Sequence, residues 1–209
     1  MITKELRLEQ LCRIYPSDKF SHGYLPYYAK YLPEEIFSLL EIGADKGFSA
    51  KMFDDFYDHK PEIHLLDLFA EIGHLTPRQA RQLGFVPFIG DQSNIDLLRS
   101  LPISYDVISE DGSHRADHQL ITFRELFWGK LKEGGVYFLE DVHTNADSFY
   151  WGGMVTRFDY TPLAMFKGFI EDGRIINPYF SLEDADIFER LIDTVEICAD
   201  EKLIVIKRK

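Results

Sequence analysis

The chain has 209 residues, 45% of them hydrophobic and 14% aromatic, which suffices for one full core and excludes a disordered or fibrous protein. A formal charge of −12 excludes broad binding to a phosphate backbone or an anionic bilayer, so neither nucleic acid nor a membrane is an expected partner. Cys12 and Cys198, far apart and in apolar periodic surroundings, read as reduced core residues of a cytoplasmic protein, and no apolar run reaches spanning length.

Residues Thr3 to Ile14 predict an amphipathic helix with Leu8, Leu11 and Cys12 on one face, stopped by Pro16. The loop SDKFSHGYLPYY carries Asp18, Lys19, His22 and Tyr24, and Pro26 opens a second short helix. Residues 1–35 are thus expected as a helical cap or lid, or as turn chemistry that only anchors a helix. From Ile36, strand, turn and helix units repeat. IFSLLEIG, IHLLDLF and FVPFIG read as strands, and GFSAKMFDDFYD and TPRQARQL as helices, the latter with Thr76 as N-cap and Pro77 at its first position. Ser93 and Asp96 predict a capping box for a helix through Leu98. A fourth strand spans Asp106 to Ser109. Leu120, Phe123, Phe127 and Leu131 then mark a helix face that ends before Gly134 and Gly135, and a fifth strand covers Val136 to Leu139. Five strands alternating with helices imply a parallel sheet covered on both faces. The pattern lapses over 142–181, which marks either a functional, acceptor-side insertion or elements that the pattern does not resolve. Ser181 and Asp184 cap a helix through Ile192, and VEICA with KLIVIKR forms a terminal hairpin. A single domain over 1–209 is expected.

Parallel strands open their carboxyl ends on one edge, so Asp111, His114, Glu140 and Asp141 are expected to converge there. Convergent carboxylates repel and resist desolvation, so they need a cation or a protonation shift. Three oxygen donors with no cysteine nearby favour a hard ion, Mg²⁺ ahead of Mn²⁺ or Ca²⁺. Equally, such acids sit in solvated loops or cap the next helix, as Asp111 could for one starting near Ala116. In LEIGADKGFS, Glu41 and Gly43 end the first strand, and Asp45 breaks the G-x-G-x-x-G spacing, which counts against a dinucleotide. Asp67, at the end of the second strand, suits a ribose diol. Asp91 and Gln92, at the end of the third, suit an adenine edge. Each alone reads equally as a cap or a loop acid; together they point into one crevice. His118 shares a helix face with His114, to orient a ligand or to pack. Tyr150 and Trp151, beside Gly152 and Gly153, suit a sugar-stacking platform or a hinged lid.

The segments SDKFSHGYLPYY, LEIGADKGFSAKMF, IHLLDLF, GDQSN, DGSHRADH, GGVYFLEDVHT and FYWGG resemble the class I S-adenosylmethionine-dependent methyltransferases. The likeness is greatest to the metal-dependent sugar O-methyltransferases of macrolide biosynthesis. It implies a three-layer, Rossmann-like α/β fold with a seven-stranded, mostly parallel sheet and a C-terminal antiparallel hairpin. It further implies S-adenosylmethionine held by Glu41, Gly43, Asp67, Asp91, Gln92 and Tyr24, and Mg²⁺ or Mn²⁺ held by Asp111, Glu140 and Asp141. His114 would be the base beside Asp111, and a sugar-containing small molecule would lie against Tyr150, Trp151 and His118. Glu110 stands where the family usually has Asp, Asp45 stands where many members have Gly, and the auxiliary N-terminal domain of some relatives has no counterpart. Acceptor and oligomer interface are therefore left open, a homo-oligomer included. The competing readings are transfer to an amine or a phosphorylated molecule, a binding module without catalysis, and an iron oxygenase using His114 and His118.

Overall fold

The computed structural model describes residues 2–146 and 160–209. Within them, helices α1 (Lys4–Ile14) and α2 (Leu25–Tyr31) precede strand β1 (Ser38–Ile42), α3 (Phe48–Phe56), β2 (Glu62–Asp67), α4 (Pro77–Gln82) and β3 (Val86–Ile89). Then follow α5 (Ile95–Ser100), β4 (Tyr105–Glu110), α6 (Ala116–Gly129), β5 (Leu131–Leu139), a 3₁₀ turn (Val142–Ala146), α7 (Pro162–Asp172), α8 (Leu182–Leu191), β6 (Ile192–Cys198) and β7 (Leu203–Arg208). The seven strands lie in the order β3-β2-β1-β4-β5-β7-β6, with β1 to β5 parallel and β7 antiparallel to both neighbours. This is the expected architecture. No helix among the described residues is long and apolar enough to cross a membrane.

Side chains alternate across the sheet and divide the core in two. Leu39, Val107, Val136 and Phe138 face α1, α2 and α3, where Leu8, Tyr28 and Phe53 are fully buried. Leu40, Ile108, Tyr137 and Leu139 face the other way, against Phe123, Phe127, Phe166 and Phe188. Tyr28 stacks on Phe138 with ring centroids 4.0 Å apart, and Leu8, Cys12, Leu25 and Leu32 join the same core, so α1 and α2 are built into one sheet face. Register then decides where the chemistry sits. Leu66, Ile42, Glu110 and Leu139 are paired side by side, so the residues after them, Asp67, Gly43, Asp111 and Glu140, leave the sheet along one edge. Strand order reverses between β1 and β4, which opens a crevice at that edge.

Three local expectations are corrected. Asn94, not Ser93, caps α5, because the Ser93 hydroxyl donates to Asp91 at 2.7 Å while Asn94 accepts from the Leu97 amide. Helix α6 stops at Gly129, and Leu131 opens β5, where it pairs with Tyr105. Asp111 does not cap α6, whose N-cap is Arg115 and which receives no side-chain capping bond. Of the two readings of 142–181, unresolved elements are found in the described part: α7 lies there, with Thr161 as N-cap and Pro162 in its first turn. The same Thr-Pro pair opens α4 at Thr76. Thr76 is the expected N-cap and also closes a capping box with Gln79, and Ser181 with Asp184 caps α8 as expected.

Candidate active site

The crevice holds a cavity of about 660 Å³. Gly43, Ala44 and Asp45 form its floor after β1, Asp67 and Leu68 line it after β2, and Asp91 and Gln92 line it after β3. Asp111, Gly112 and His114 after β4, His118 on α6, and Pro16 to Asp18 of the N-terminal loop complete the wall. Gly43 has φ +87°, and a Cβ there would lie 1.9 Å from the carbonyl oxygen of Asp111, so only glycine lets the two loops meet. Asp67 is oriented by the chain itself: Ala44 N donates to Oδ2 at 2.7 Å and Phe69 N to Oδ1 at 2.6 Å. Each of these oxygens keeps a second acceptor site for a ligand hydroxyl.

At the other end of the cavity, donor atoms of Asp111, His114 and Asp141 lie within 4.8 Å of one another. His114 and Asp141 have φ of +56° and +55°, a strained left-handed conformation for non-glycine residues that concentrates at functional sites. Asp141 accepts from the Tyr24 hydroxyl at 2.5 Å. Three imidazoles also face it: His22 Nδ1 at 3.4 Å, His114 Nε2 at 3.9 Å and His143 Nδ1 at 3.9 Å. Behind them sits a fully buried Lys19, its Nζ 2.7 Å from Glu140 Oε1 and 3.0 Å from Asp111 Oδ2. Burial opposes the charge on Lys19, but Asp111 and Glu140 raise its pKa well above the usual lysine value. Glu140 Oε1 also accepts from the Tyr28 hydroxyl at 2.5 Å and from Ser109 at 2.9 Å.

Negative charge outweighs positive here. Burial pushes the Asp111 and Glu140 carboxyls up to about 7 even though Lys19 opposes it, and pushes Glu110 up to about 8. The hard carboxylate oxygens of Asp111 and Asp141, short of positive charge and gathered within reach of one ion, fit a divalent metal, with the His114 imidazole within 4.8 Å of both. Glu140 is not in that group.

No protein-family model matches the chain. It is 28% identical over 184 residues to demethylmacrocin O-methyltransferase of Streptomyces fradiae, an alignment covering 78% of this chain and 44% of that protein. It is 27% identical over 174 residues to mycinamicin VI 2''-O-methyltransferase of Micromonospora griseorubida, covering 75% and 41%. The chain therefore spans less than half the length of these curated relatives. Among solved structures, MycE methyltransferase of the mycinamycin biosynthetic pathway, in complex with Mg and SAH, superposes with a TM-score of 0.78 at 22% identity, covering 97% of this chain and 54% of that one. The SAH-bound methyltransferase PaMTH1 of Podospora anserina gives a TM-score of 0.55 at 16% identity, covering 100% and 89%. The fold is that of the class I S-adenosylmethionine-dependent methyltransferases.

In this methyltransferase fold the expected site residues fall into three groups. Gly43, Asp67, Asp91, Gln92, Asp111, His114 and His118 line the cavity. Among these, Gln92 is already engaged: its amide donates to Glu110 at 2.7 Å and its carbonyl accepts from Ser113 N at 2.6 Å, tying the loop after β3 to the turn after β4. His118 Nδ1 lies 3.0 Å from the Ser113 hydroxyl, and burial lowers its pKa. Glu41, Tyr24, Glu140 and Asp141 are buried and do not line the cavity. Glu41 is fully buried, accepts from the Ser49 hydroxyl, and is pushed up to about 7 by burial. Tyr150 and Trp151 lie outside the described residues.

Sequence reasoning missed Lys19, Gln119 and Asn145 as parts of the site. Gln119 is buried and donates to the Glu140 carbonyl at 2.8 Å, while Asn145 donates to the His114 carbonyl at 3.0 Å and to Gln119 Oε1 at 3.1 Å. A buried Gln on the apolar face of α6 carries no local signal. Lys19 had one: several acids at strand ends call for a buried cation, and a lysine between Asp18 and His22 in a polar, Tyr-rich loop was the available candidate.

Proposed function

We propose that the chain methylates a hydroxyl of a sugar-containing small molecule, using S-adenosylmethionine as donor and a divalent metal, Mg²⁺ or Mn²⁺. One observation carries this reading: a single cavity runs from Asp67 and Asp91 to Asp111 and His114, so a sulfonium nucleoside and an acceptor hydroxyl would meet inside it. The similarity to sugar O-methyltransferases and to a structure holding Mg and SAH supports it. The acids Asp45, Glu71 and Asp91 along the cavity disfavour a phosphorylated acceptor.

Asp67, fixed by the Ala44 and Phe69 amides, accepts from the ribose hydroxyls. Gly43 and Gly112 let the backbone approach the nucleoside. Asp111 and Asp141 would hold the ion, which would supply positive charge that favours the deprotonated form of an acceptor hydroxyl. His114 removes that proton, and its left-handed backbone aims the ring toward Asp141 rather than along α6. The methyl is already activated by the sulfonium, so alignment of oxygen, methyl and sulfur is the main demand; positioning of this kind contributes about 7–11 kcal/mol. Residues 142–181 supply the acceptor side, since the 3₁₀ turn at Val142–Ala146 follows directly on Asp141.

The test is methyl transfer from labelled S-adenosylmethionine to a panel of glycosylated macrolides and free deoxysugars, with chelator and then with added Mg²⁺. Transfer that stops with chelator and returns with Mg²⁺ is expected. Undiminished transfer in excess chelator removes the metal from the mechanism, and absence of SAH binding by calorimetry removes the whole reading.

A further inference from the structure

We propose that Asp45 and His74 are positioning residues for the methyl donor: they clasp the segment 68–75 over the nucleoside end of the cavity and so set how long the bound nucleoside stays. The inference rests on the donor reading above and makes no use of the metal. The segment is an arch with both feet held to the turn that follows β1. At one foot, Ala44 N donates to Asp67 Oδ2 at 2.7 Å; at the other, Leu75 N donates to the Asp45 carbonyl at 2.7 Å. Between the feet, Leu68, Ala70, Glu71 and His74 line the cavity, while Ile72 is fully exposed.

The second foot carries a side-chain contact as well. His74 Nε2 lies 3.2 Å from Asp45 Oδ1 and 3.2 Å from Glu71 Oε2, and His74 N donates to the Glu71 carbonyl at 3.3 Å. The imidazole is thus held in its own turn on one side and meets Asp45 of the neighbouring loop on the other. Asp45 reaches that place under strain: its φ is +40°, in the left-handed region that favours glycine. Contacts between side chains as exposed as these, 31% for His74 and 60% for Asp45, add little to fold stability. Stability therefore does not account for an aspartate at a glycine-like position, whereas strained residues gather at ligand clamps and switch segments.

A second, smaller cavity of about 310 Å³ is lined by Lys51, Gly73 and Leu75, and Lys46 and His74 line both cavities. The end of the arch is therefore a partition with open space on either side, and Gly73, at φ +88°, turns the chain just before the clasp. With the clasp closed, the arch walls the nucleoside end. With it open, His74 swings toward the smaller cavity and the nucleoside leaves.

The experiment follows dissociation of SAH from the full chain by stopped flow, beside thermal unfolding, for the wild type and four variants. Asp45→Gly should leave the thermal midpoint nearly unchanged, since relief of the left-handed backbone offsets the added freedom of the unfolded chain, yet release SAH about tenfold faster. Asp45→Asn tolerates the same backbone and keeps an oxygen for His74, so its release rate should stay within about threefold of the wild type. His74→Ala should match Asp45→Gly, and the double variant Asp45→Gly/His74→Ala should be no faster than either, because one shared contact is lost only once. Unchanged release from Asp45→Gly or from His74→Ala overturns the proposal. So does a double variant about a hundredfold faster than the wild type, in which the two residues act separately. Should Asp45→Gly not fold, His74→Ala, in a surface turn, decides alone by the same criterion. A wild type that does not bind SAH overturns the donor reading and the clasp with it, whereas a wild type that binds beside variants with unchanged release overturns the clasp alone.

Discussion

Gly43 and Asp111 touch backbone to backbone: a Cβ on the former would sit 1.9 Å from the carbonyl oxygen of the latter. The loop that floors the nucleoside end of the cavity and the turn that begins the acid cluster are therefore one packed unit. Gly43→Ala should force them apart and strain a backbone at φ +87°, costing about 1–3 kcal/mol of stability and weakening SAH binding more than tenfold. Denaturant unfolding and calorimetric SAH titration check this. Unchanged binding would show that the two ends of the cavity are independent.

His114→Ala should lower turnover by about 10²- to 10⁴-fold while leaving SAH affinity nearly unchanged, because the ring lies at the acid end and not at Asp67. Single-turnover kinetics beside SAH titration separate the two effects. Comparable losses in both would make His114 a packing residue.

Buried Glu41 gives a pH prediction. Its pKa is pushed up to about 7 by burial, from an ordinary 4.5, so between these values the folded chain holds a proton that the unfolded chain releases. Stability from this group is thus full at low pH and falls as pH rises through that window. Glu41→Gln keeps an acceptor for Ser49 and removes the titration. Thermal midpoints from pH 5 to 8 should decline less in the variant than in the wild type. Parallel curves would mean that Glu41 is not protonated in the fold.

Three imidazoles face Asp141, from His22, His114 and His143. Nitrogen donors favour later first-row ions over Mg²⁺. Mn²⁺ and Zn²⁺ should therefore stabilise the protein against heat at lower concentrations than Mg²⁺, and His22→Ala with His143→Ala should narrow the difference. Equal potency of the three ions in the wild type would confine the metal contacts to carboxylate oxygen.

Phe123 packs its ring within 5.5 Å, centroid to centroid, of Phe127, Tyr137, Phe166 and Phe188, joining α6, β5, α7 and α8. Phe123→Ala should cost about 3–5 kcal/mol, measured by denaturant unfolding. A cost below about 1 kcal/mol would mean that α7 is not docked on this face.

Local pattern alone determined the α/β sandwich, its five parallel strands and the closing hairpin. Apolar period, Thr-Pro and Ser-x-x-Asp caps, and turn glycines act between near neighbours and are written in contiguous residues. The placing of Gly43, Asp67, Asp111 and Glu140 on one edge was equally legible, since parallel strands must end together. Lys19 was not. Its role depends on a contact across 121 residues that exists only once β4 and β5 are paired and α2 is packed on Phe138. The same holds for the contacts of Glu140 with Tyr28 and Ser109. Burial and partner choice are properties of the assembled core, and there the tertiary structure decided that a buried lysine faces Asp111 and Glu140.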